Sequence, residues 1–187
     1  MAVSLARESY FEAGVEALAE LGYSGLKLAE VCWRLGVTTG SFYHHFPNWG
    51  TYTKEFIEHW VHARSTAITD AVARQSSPRK RLETLITRAL DLPHSAEAAI
   101  LVWSALDPDV YAAQCTVDQL RFDILAQSAQ DITGDRQQAE VFASCLVYVL
   151  IGYEQTTVAH NSTNLRWIAD QLVADLDPNP FTTVPGD

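Results

Sequence analysis

Residues 36–47 read GVTTGSFYHHFP and carry their own boundary signals. Gly36 stands at one end and Pro47 at the other, because glycine commonly follows the end of a helix and proline cannot continue one. The residues between them predict one short helix. Phe42 and Phe46 are four positions apart, so both fall on one face of that helix, which we expect to be the buried face.

A second short helix is predicted immediately before this stretch, over residues 26–35. Leu28, Val31, Cys32 and Leu35 recur at helical spacing and would turn inward. Two helices of this length joined by a glycine-containing turn form a helix-turn-helix, in which the second helix can enter the major groove of DNA.

An amphipathic helix is predicted upstream, over about residues 4–21, with Ser4 as its candidate N-cap. Four glutamates form an i, i+4 stripe of like charge on one side of it: Glu8, Glu12, Glu16 and Glu20. Such a stripe repels phosphate, so it should face away from DNA.

The rest of the sequence also has helical periodicity and contains no sustained alternation typical of strands. Residues 51–74 predict one long helix, which Gln75–Pro78 ends. Five further helices are predicted over residues 79–92, 96–106, 108–130, 136–160 and 165–176. The fold class is therefore predicted to be all-α, with residues 177–187 as a frayed C-terminal tail.

The charge balance bears on a nucleic-acid partner. The formal net charge is −10, which opposes DNA binding because Lys and Arg side chains neutralise the phosphates. Between Ser24 and Lys54, however, Lys27, Arg34 and Lys54 face only Glu30. The predicted helix-turn-helix is thus the least acidic part of the chain.

Several other classes of protein have no support. The longest apolar run, residues 141–153, is shorter than the roughly 20 residues that span a bilayer, and no secretory signal is evident. We therefore expect a cytoplasmic protein.

The three cysteines are widely separated, which predicts buried thiols instead of disulfides or a zinc site. His59 and His62 lack Glu-x-x-His spacing, and no catalytic motif occurs, so no metal, cofactor or enzymatic activity is predicted.

The N-terminal residues resemble the DNA-binding domain of the TetR family of transcriptional regulators. Phe11–Tyr23 is similar to its first helix and Gly-Tyr turn, and residues 36–46 are similar to its recognition segment, with Gly36, Gly40, Tyr43 and Phe46 at their expected offsets. The resemblance implies two domains. These are a helix-turn-helix domain over residues 1–50 and a helical ligand-binding and dimerisation domain over 51–176, joined by a connecting helix over 51–74.

Double-stranded operator DNA is the partner that the resemblance implies. Opposite the Phe42 and Phe46 face, Thr39, Gly40, Tyr43 and His44 would reach the groove, and Thr38 and Ser41 could donate to phosphate oxygens. Lys27 stands where the family usually has Thr or Ser and could contact a phosphate. Trp49 stands where the family usually has Lys, and Lys54 could replace that contact in part.

A small apolar or aromatic effector that releases a repressor is a further implication of the resemblance. Aromatic and polar side chains in the C-terminal two thirds are candidates for its site: His94, Trp103, Tyr111, Gln114, Gln119 and Phe122. An aromatic cluster can equally fill a core.

A homodimer is predicted from the helix over residues 136–160, because apolar residues surround it and a helix packed on one side needs only a stripe. One side would pack on its own subunit and the other on a second copy, completing a four-helix bundle with the helix over 165–176. The predicted interface residues are Phe142, Leu146, Val149, Tyr153, Leu165, Ile168 and Leu172.

One alternative remains from a different class. A protein of the same ancestry that has lost operator recognition could act as a protein-interaction module, and it would show no preference among DNA sequences. The sequence does not specify the effector, the operator, the regulated genes, or the choice between repression and activation.

Overall fold

The structure is a computed structural model that describes residues 7–176. All the regular structure in this range is helical, which confirms the predicted all-α class. The elements are α1 (Arg7–Leu21), a 3-10 turn (Tyr23–Gly25), α2 (Leu28–Leu35), α3 (Thr39–His45), α4 (Trp49–Ala73), α5 (Pro78–Leu90), α6 (His94–Ser104), α7 (Pro108–Thr133), α8 (Arg136–Gln155) and α9 (Ser162–Ala174). The proposed Ser4 cap and the tail over residues 177–187 lie outside the described residues.

Local chemistry explains where the helices begin and end. Gly36 ends α2 in the left-handed region at φ 64°, which a residue without Cβ adopts at little cost. Thr38 begins α3, because its hydroxyl accepts a hydrogen bond from the Ser41 N–H at 3.2 Å. Asp135 caps α8 in the same way. These side chains satisfy N–H groups that have no partner within their own helix.

Several predicted boundaries were wrong by a few residues, and three of them have a local explanation. The second helix begins at Leu28, because Lys27 is extended and its side chain makes no capping hydrogen bond. The recognition helix begins only at Thr39, after the Thr38 cap. The eighth helix ends at Gln155 instead of His160, because Thr156 is again extended.

The described residues form two compact units. The N-terminal unit comprises the described residues up to Ala63 together with Pro93–Gln114. In it, α6 packs against α1, and the core is rich in aromatic side chains. The sequence assigned α6 to the second domain, since its helical pattern does not reveal which helix it packs on. The functional division at residue 50 stays a prediction.

The C-terminal unit comprises Arg64–Leu92 and the described residues from Cys115 onward. Its core is aliphatic apart from the fully buried Phe142, and α9 packs on both α5 and α8. Arg79 donates to the carbonyls of Val173 and Leu176 at 3.1 and 3.2 Å, so α5 also binds the carboxyl end of α9.

The cysteine prediction was correct for one residue of three. Cys32 is buried in α2, and burial raises the pKa of its thiol because the thiolate would lose its hydration. Cys115 is exposed and Cys145 is half-buried. Across residues 7–176, no helix is long and apolar enough to cross a bilayer, and no cluster of side chains could hold a metal ion.

Candidate nucleic-acid interface and effector cavity

Aromatic packing fixes the position of α3. Phe42 and Phe46 are both fully buried, as predicted, with their ring centroids 5.1 Å apart. Tyr10 contacts both rings at 5.8 and 5.6 Å, and Tyr52 contacts Phe46 at 5.1 Å. The short helix therefore has a rigid support, which a recognition element requires because seven residues alone do not form a stable helix.

The opposite face of α3 is open to solvent. Thr39, Gly40 and His44 are exposed, and Tyr43 is 51% exposed despite its size. These are the four residues that the sequence places at the groove. Their exposure is the condition that a DNA contact needs, while the contact itself stays a prediction.

Thr38 and Ser41 differ in what they still offer to a phosphate. The exposed Thr38 uses an oxygen lone pair for the cap and keeps its hydroxyl proton available for donation. Ser41 is half-buried, with its Oγ 3.4 Å from the Tyr10 hydroxyl. Thr38 is thus the better placed of the two predicted phosphate donors.

Arg34 is enclosed by carboxylates, a feature that sequence reasoning missed. Its guanidinium lies 2.7 Å from Glu20, 2.9 Å from Glu30 and 3.8 Å from Glu16, and only 9% of the side chain is exposed. The hydrogen bond and charge of Arg34 lower the pKa of Glu20. Arg34 therefore neutralises part of the acidic stripe on α1 and is not available to a phosphate.

Arg7 supports the carboxyl end of α3, and no local pattern in the sequence predicted this role. Its guanidinium donates to the His45 carbonyl at 2.9 Å, lies 2.7 Å from a Glu55 oxygen and sits 4.6 Å from the Phe46 ring centroid. It satisfies a carbonyl that the helix leaves without a partner. Arg7 thus positions the recognition helix.

Lys27 and Lys54 are the cations that remain for phosphate. Lys27 is exposed, and its side chain makes no hydrogen bond or ion pair with any of residues 7–176. Lys54 is exposed and lies 4.0 Å from Glu58, a pair that contributes little in water. Trp49, which replaces the usual lysine, stacks on Tyr52 at 4.8 Å and so strengthens the aromatic core.

The C-terminal unit contains a cavity of about 250 Å³. Helices α4, α5, α7, α8 and α9 all contribute to its wall, which is mainly aliphatic. The aliphatic lining residues are Ala67, Ile68, Leu85, Ile86, Ala89, Leu90, Leu92, Leu125, Leu146, Val147, Val149, Leu150, Leu165 and Ala169. The polar ones are Arg64, Arg88, Asp91 and Arg121. None of the residues of 7–176 that line the cavity is aromatic.

The structure does not bring the six predicted effector residues together. Four of them belong to the N-terminal unit, where Trp103 stacks on Tyr23 at 5.1 Å and on Phe56 at 6.3 Å. There His94 is half-buried, Tyr111 is exposed and Gln114 is buried.

The other two predicted effector residues lie in the C-terminal unit. Gln119 donates to Asp123 at 2.8 Å, and Phe122 packs on the aliphatic core. None of the six lines the cavity. An aromatic pattern indicates burial but does not reveal which of two cores receives the ring.

The predicted dimer residues also divide by burial. Phe142, Leu146 and Leu165 are buried in the chain's own core, so they cannot contact a second copy without rearrangement. Val149, Tyr153 and Leu172 are half-buried, and Ile168 is 39% exposed. The large side chains that α8 and α9 expose most are instead Tyr148, at 71%, and Trp167, at 63%.

Comparison with known proteins agrees with this geometry. Residues 11–48 match the model of bacterial regulatory proteins of the tetR family. No curated protein matches the sequence.

Three solved structures resemble the chain in fold. A transcriptional regulator from Rhodococcus sp. Rha1 is 20% identical with a TM-score of 0.74, over 91% of this chain and 95% of that one. A regulator from Saccharomonospora viridis, solved in complex with choline, is 16% identical with a TM-score of 0.73, over 90% and 95% of the two chains. A TetR regulator from Legionella pneumophila is 16% identical with a TM-score of 0.74, over 91% and 98%.

At these identities the neighbours establish the fold, and the match over residues 11–48 establishes the nature of the helix-turn-helix. The family is one of regulators and not of enzymes, which agrees with the prediction from the missing catalytic motifs. The chain therefore has the fold of transcriptional regulators and carries the N-terminal DNA-binding domain of the tetR family.

Proposed function

We propose that the protein is a repressor that binds a specific operator and leaves it when a small molecule occupies the cavity. The observation that carries the proposal is the polar outer face of α3, with Tyr43 and His44 exposed while Phe42 and Phe46 fix the helix from behind. Donors and acceptors on a rigidly held helix are what readout of base edges requires.

Binding is proposed to occur as a homodimer through the outer faces of α8 and α9. Tyr148, Trp167 and Ile168 are exposed on these two helices, and large aromatic side chains are enriched at the centres of protein interfaces. The partner that we propose for these faces is a second copy of the chain. Two recognition helices about 34–36 Å apart would read successive major grooves of a palindromic site.

Effector sensing is proposed to act through α4. This helix carries Phe56, which packs in the N-terminal unit, and also Ala67 and Ile68, which line the cavity. A ligand that fits the cavity better in one position of α4 than in another would shift the population of DNA-binding conformers, whereas a ligand without such a preference would shift nothing.

The test is selection of duplexes from a random pool by the full chain, followed by competition of the selected duplex against random DNA. We expect one enriched palindromic sequence and a clear preference for it. The double variant Tyr43→Ala/His44→Ala should lose the preference. The control Tyr111→Ala/His62→Ala removes an exposed tyrosine and an exposed histidine outside α3 and should keep it. Failure to enrich any sequence would overturn the proposal in favour of an interaction module.

A further inference from the structure

Three of the four charged residues that line the cavity are positive, in a protein whose net charge is −10. Arg64, Arg88 and Arg121 all contribute to its wall, and Asp91 is the one carboxylate that does so among residues 7–176. A neutral ligand would gain nothing from an unpaired arginine beside an aliphatic cavity, whereas an anion would be attracted to its charge.

Arg121 and Arg88 differ in whether a nearby carboxylate neutralises the charge of the guanidinium. Arg121 lies 3.1 Å from the Asp118 carboxylate, and both side chains are largely shielded from solvent. Arg88 is exposed in the last turn of α5 and has no hydrogen bond or ion pair with any described residue. Arg88 is therefore the arginine of the cavity wall that offers its guanidinium to a ligand.

Capping of α5 does not account for Arg88. The carbonyl of Thr87 already accepts a hydrogen bond from the Asp91 N–H at 3.2 Å, and the carbonyl of Ala89 accepts one from the Leu92 N–H at 3.3 Å. The end of the helix thus satisfies these oxygens with its own backbone. The guanidinium donors of Arg88 remain available to a ligand at the edge of the cavity.

We propose that the cavity binds a small aliphatic anion, with its hydrocarbon chain against the leucine and valine wall and its carboxylate at Arg88. This proposal rests on the proposed sensing function and adds the chemical class of the effector. Arginine suits such a ligand because its planar guanidinium presents paired donors that match a carboxylate. The volume, about 250 Å³, lies just below the roughly 300–1,000 Å³ of sites for drug-sized ligands, so the ligand is small.

Cationic ligands fit this wall less well. A quaternary ammonium group is typically held by the faces of aromatic rings, and no described residue of the wall supplies one. Choline, which the Saccharomonospora viridis neighbour holds, would meet three arginines here. The fold is shared with that protein, whereas the chemistry of this wall favours the opposite charge.

The experiment is isothermal titration of the full chain, without DNA, with three probes of equal chain length: octanoate, 1-octanol and octylamine. We expect octanoate to bind about tenfold more tightly than 1-octanol, and octylamine to bind most weakly. Raising the salt concentration should weaken octanoate binding and leave 1-octanol binding unchanged, because only the charged head is screened.

Arg88→Gln supplies the residue-level test. It should weaken octanoate about tenfold, as loss of one exposed charge-assisted hydrogen bond would, and leave 1-octanol unchanged. Lys80→Gln removes the same charge from an exposed position of α5 that does not line the cavity, so it should change neither. Matching thermal melts for the two variants exclude a folding defect as the cause.

The outcomes separate this inference from the proposed function. If octanoate and 1-octanol bind equally well and Arg88→Gln changes neither, the inference of an anionic effector would be wrong. The cavity would then remain a candidate site for an apolar effector. Absence of octanoate binding would overturn the anion inference directly. Because the titration contains no DNA, its result does not depend on operator recognition. If octanoate binds but no operator is recognised, only the proposed repressor function would be wrong.

Discussion

The Tyr52 hydroxyl donates a 2.8 Å hydrogen bond to the backbone carbonyl of Tyr10, joining α4 to α1 in the centre of the N-terminal unit. Both residues are fully buried, and both contact the rings that anchor the recognition helix. The bond therefore links the connecting helix, the first helix and the support of α3.

Tyr52→Phe removes this bond and keeps the ring. We expect the free energy of unfolding to fall by about 1 kcal/mol, the usual net value of one buried hydrogen bond. Chemical denaturation monitored by circular dichroism would measure it. A variant as stable as the unmutated chain would show that the bond contributes nothing.

Alkaline pH should remove the same contribution. Burial, with a smaller effect from Cys32, raises the pKa of Tyr52 well above its ordinary value. A pKa raised on folding adds stability that is complete below the unfolded pKa, about 10, and is lost as the pH rises through the folded pKa. The difference in stability between the unmutated chain and Tyr52→Phe should therefore be constant below pH about 9 and shrink between pH about 10 and about 11. A difference that stays constant over this range would contradict the assignment.

Gly14 and Gly40 should respond differently to substitution by alanine. A Cβ at Gly14 would lie 2.4 Å from the Tyr52 hydroxyl and 2.8 Å from the Phe56 ring, both in the packed core, so Gly14→Ala should destabilise the chain by about 1–3 kcal/mol. At Gly40 a Cβ would meet only Thr38 Oγ1, at 3.5 Å. Gly40→Ala should therefore leave the melting temperature unchanged while weakening binding to the selected duplex. Equal melting temperatures for both variants would contradict this packing.

Lys27→Ala tests how the DNA-binding unit uses its few available cations. Loss of one phosphate contact should weaken binding to all duplexes and reduce the log–log salt slope by about one unit. The matched control, Lys80→Ala, should change neither quantity. A change in base preference with an unaltered salt slope would show that Lys27 reads bases instead of phosphates.

Leu146 and Tyr148 are two positions apart on α8, one in the core and the other on the proposed dimer surface. Substitution of each by glutamate should therefore have different effects. Leu146 is 8% exposed, so a carboxylate there should abolish cooperative unfolding. Tyr148→Glu should keep the fold and convert dimers to monomers, as sedimentation at micromolar concentration would show. A folded, dimeric Tyr148→Glu protein would place the interface elsewhere.

The sequence specified the local features of this fold more fully than its tertiary contacts. The spacing of Phe42 and Phe46 determines the buried face of α3, and Pro47 limits its length, because both effects act within a few residues. On α8 the apolar residues surround the helix, so periodicity could not tell that Phe142 and Leu146 face the chain's own core while Tyr148 faces solvent.

The residues of the effector site also could not be predicted from the sequence, because they depend on tertiary contacts. Trp103 was a reasonable candidate, because aromatic side chains line many ligand sites, yet it packs with Tyr23 and Phe56 in the N-terminal unit. Arg88 carried no sequence signal, since an isolated arginine in the last turn of a helix usually complements the helix dipole. Only the tertiary structure places it beside an aliphatic cavity.

The absence of aromatic rings from the cavity wall has a spectroscopic consequence. Of the five tryptophans, Trp33, Trp49, Trp60 and Trp103 belong to the N-terminal unit, and Trp167 lies on the exposed face of α9. A bound aliphatic anion would touch none of these fluorophores. In a Trp167→Phe protein, ligand-dependent changes in tryptophan emission would originate in the N-terminal unit. Fluorescence would then record transmission of the signal, while calorimetry records occupancy.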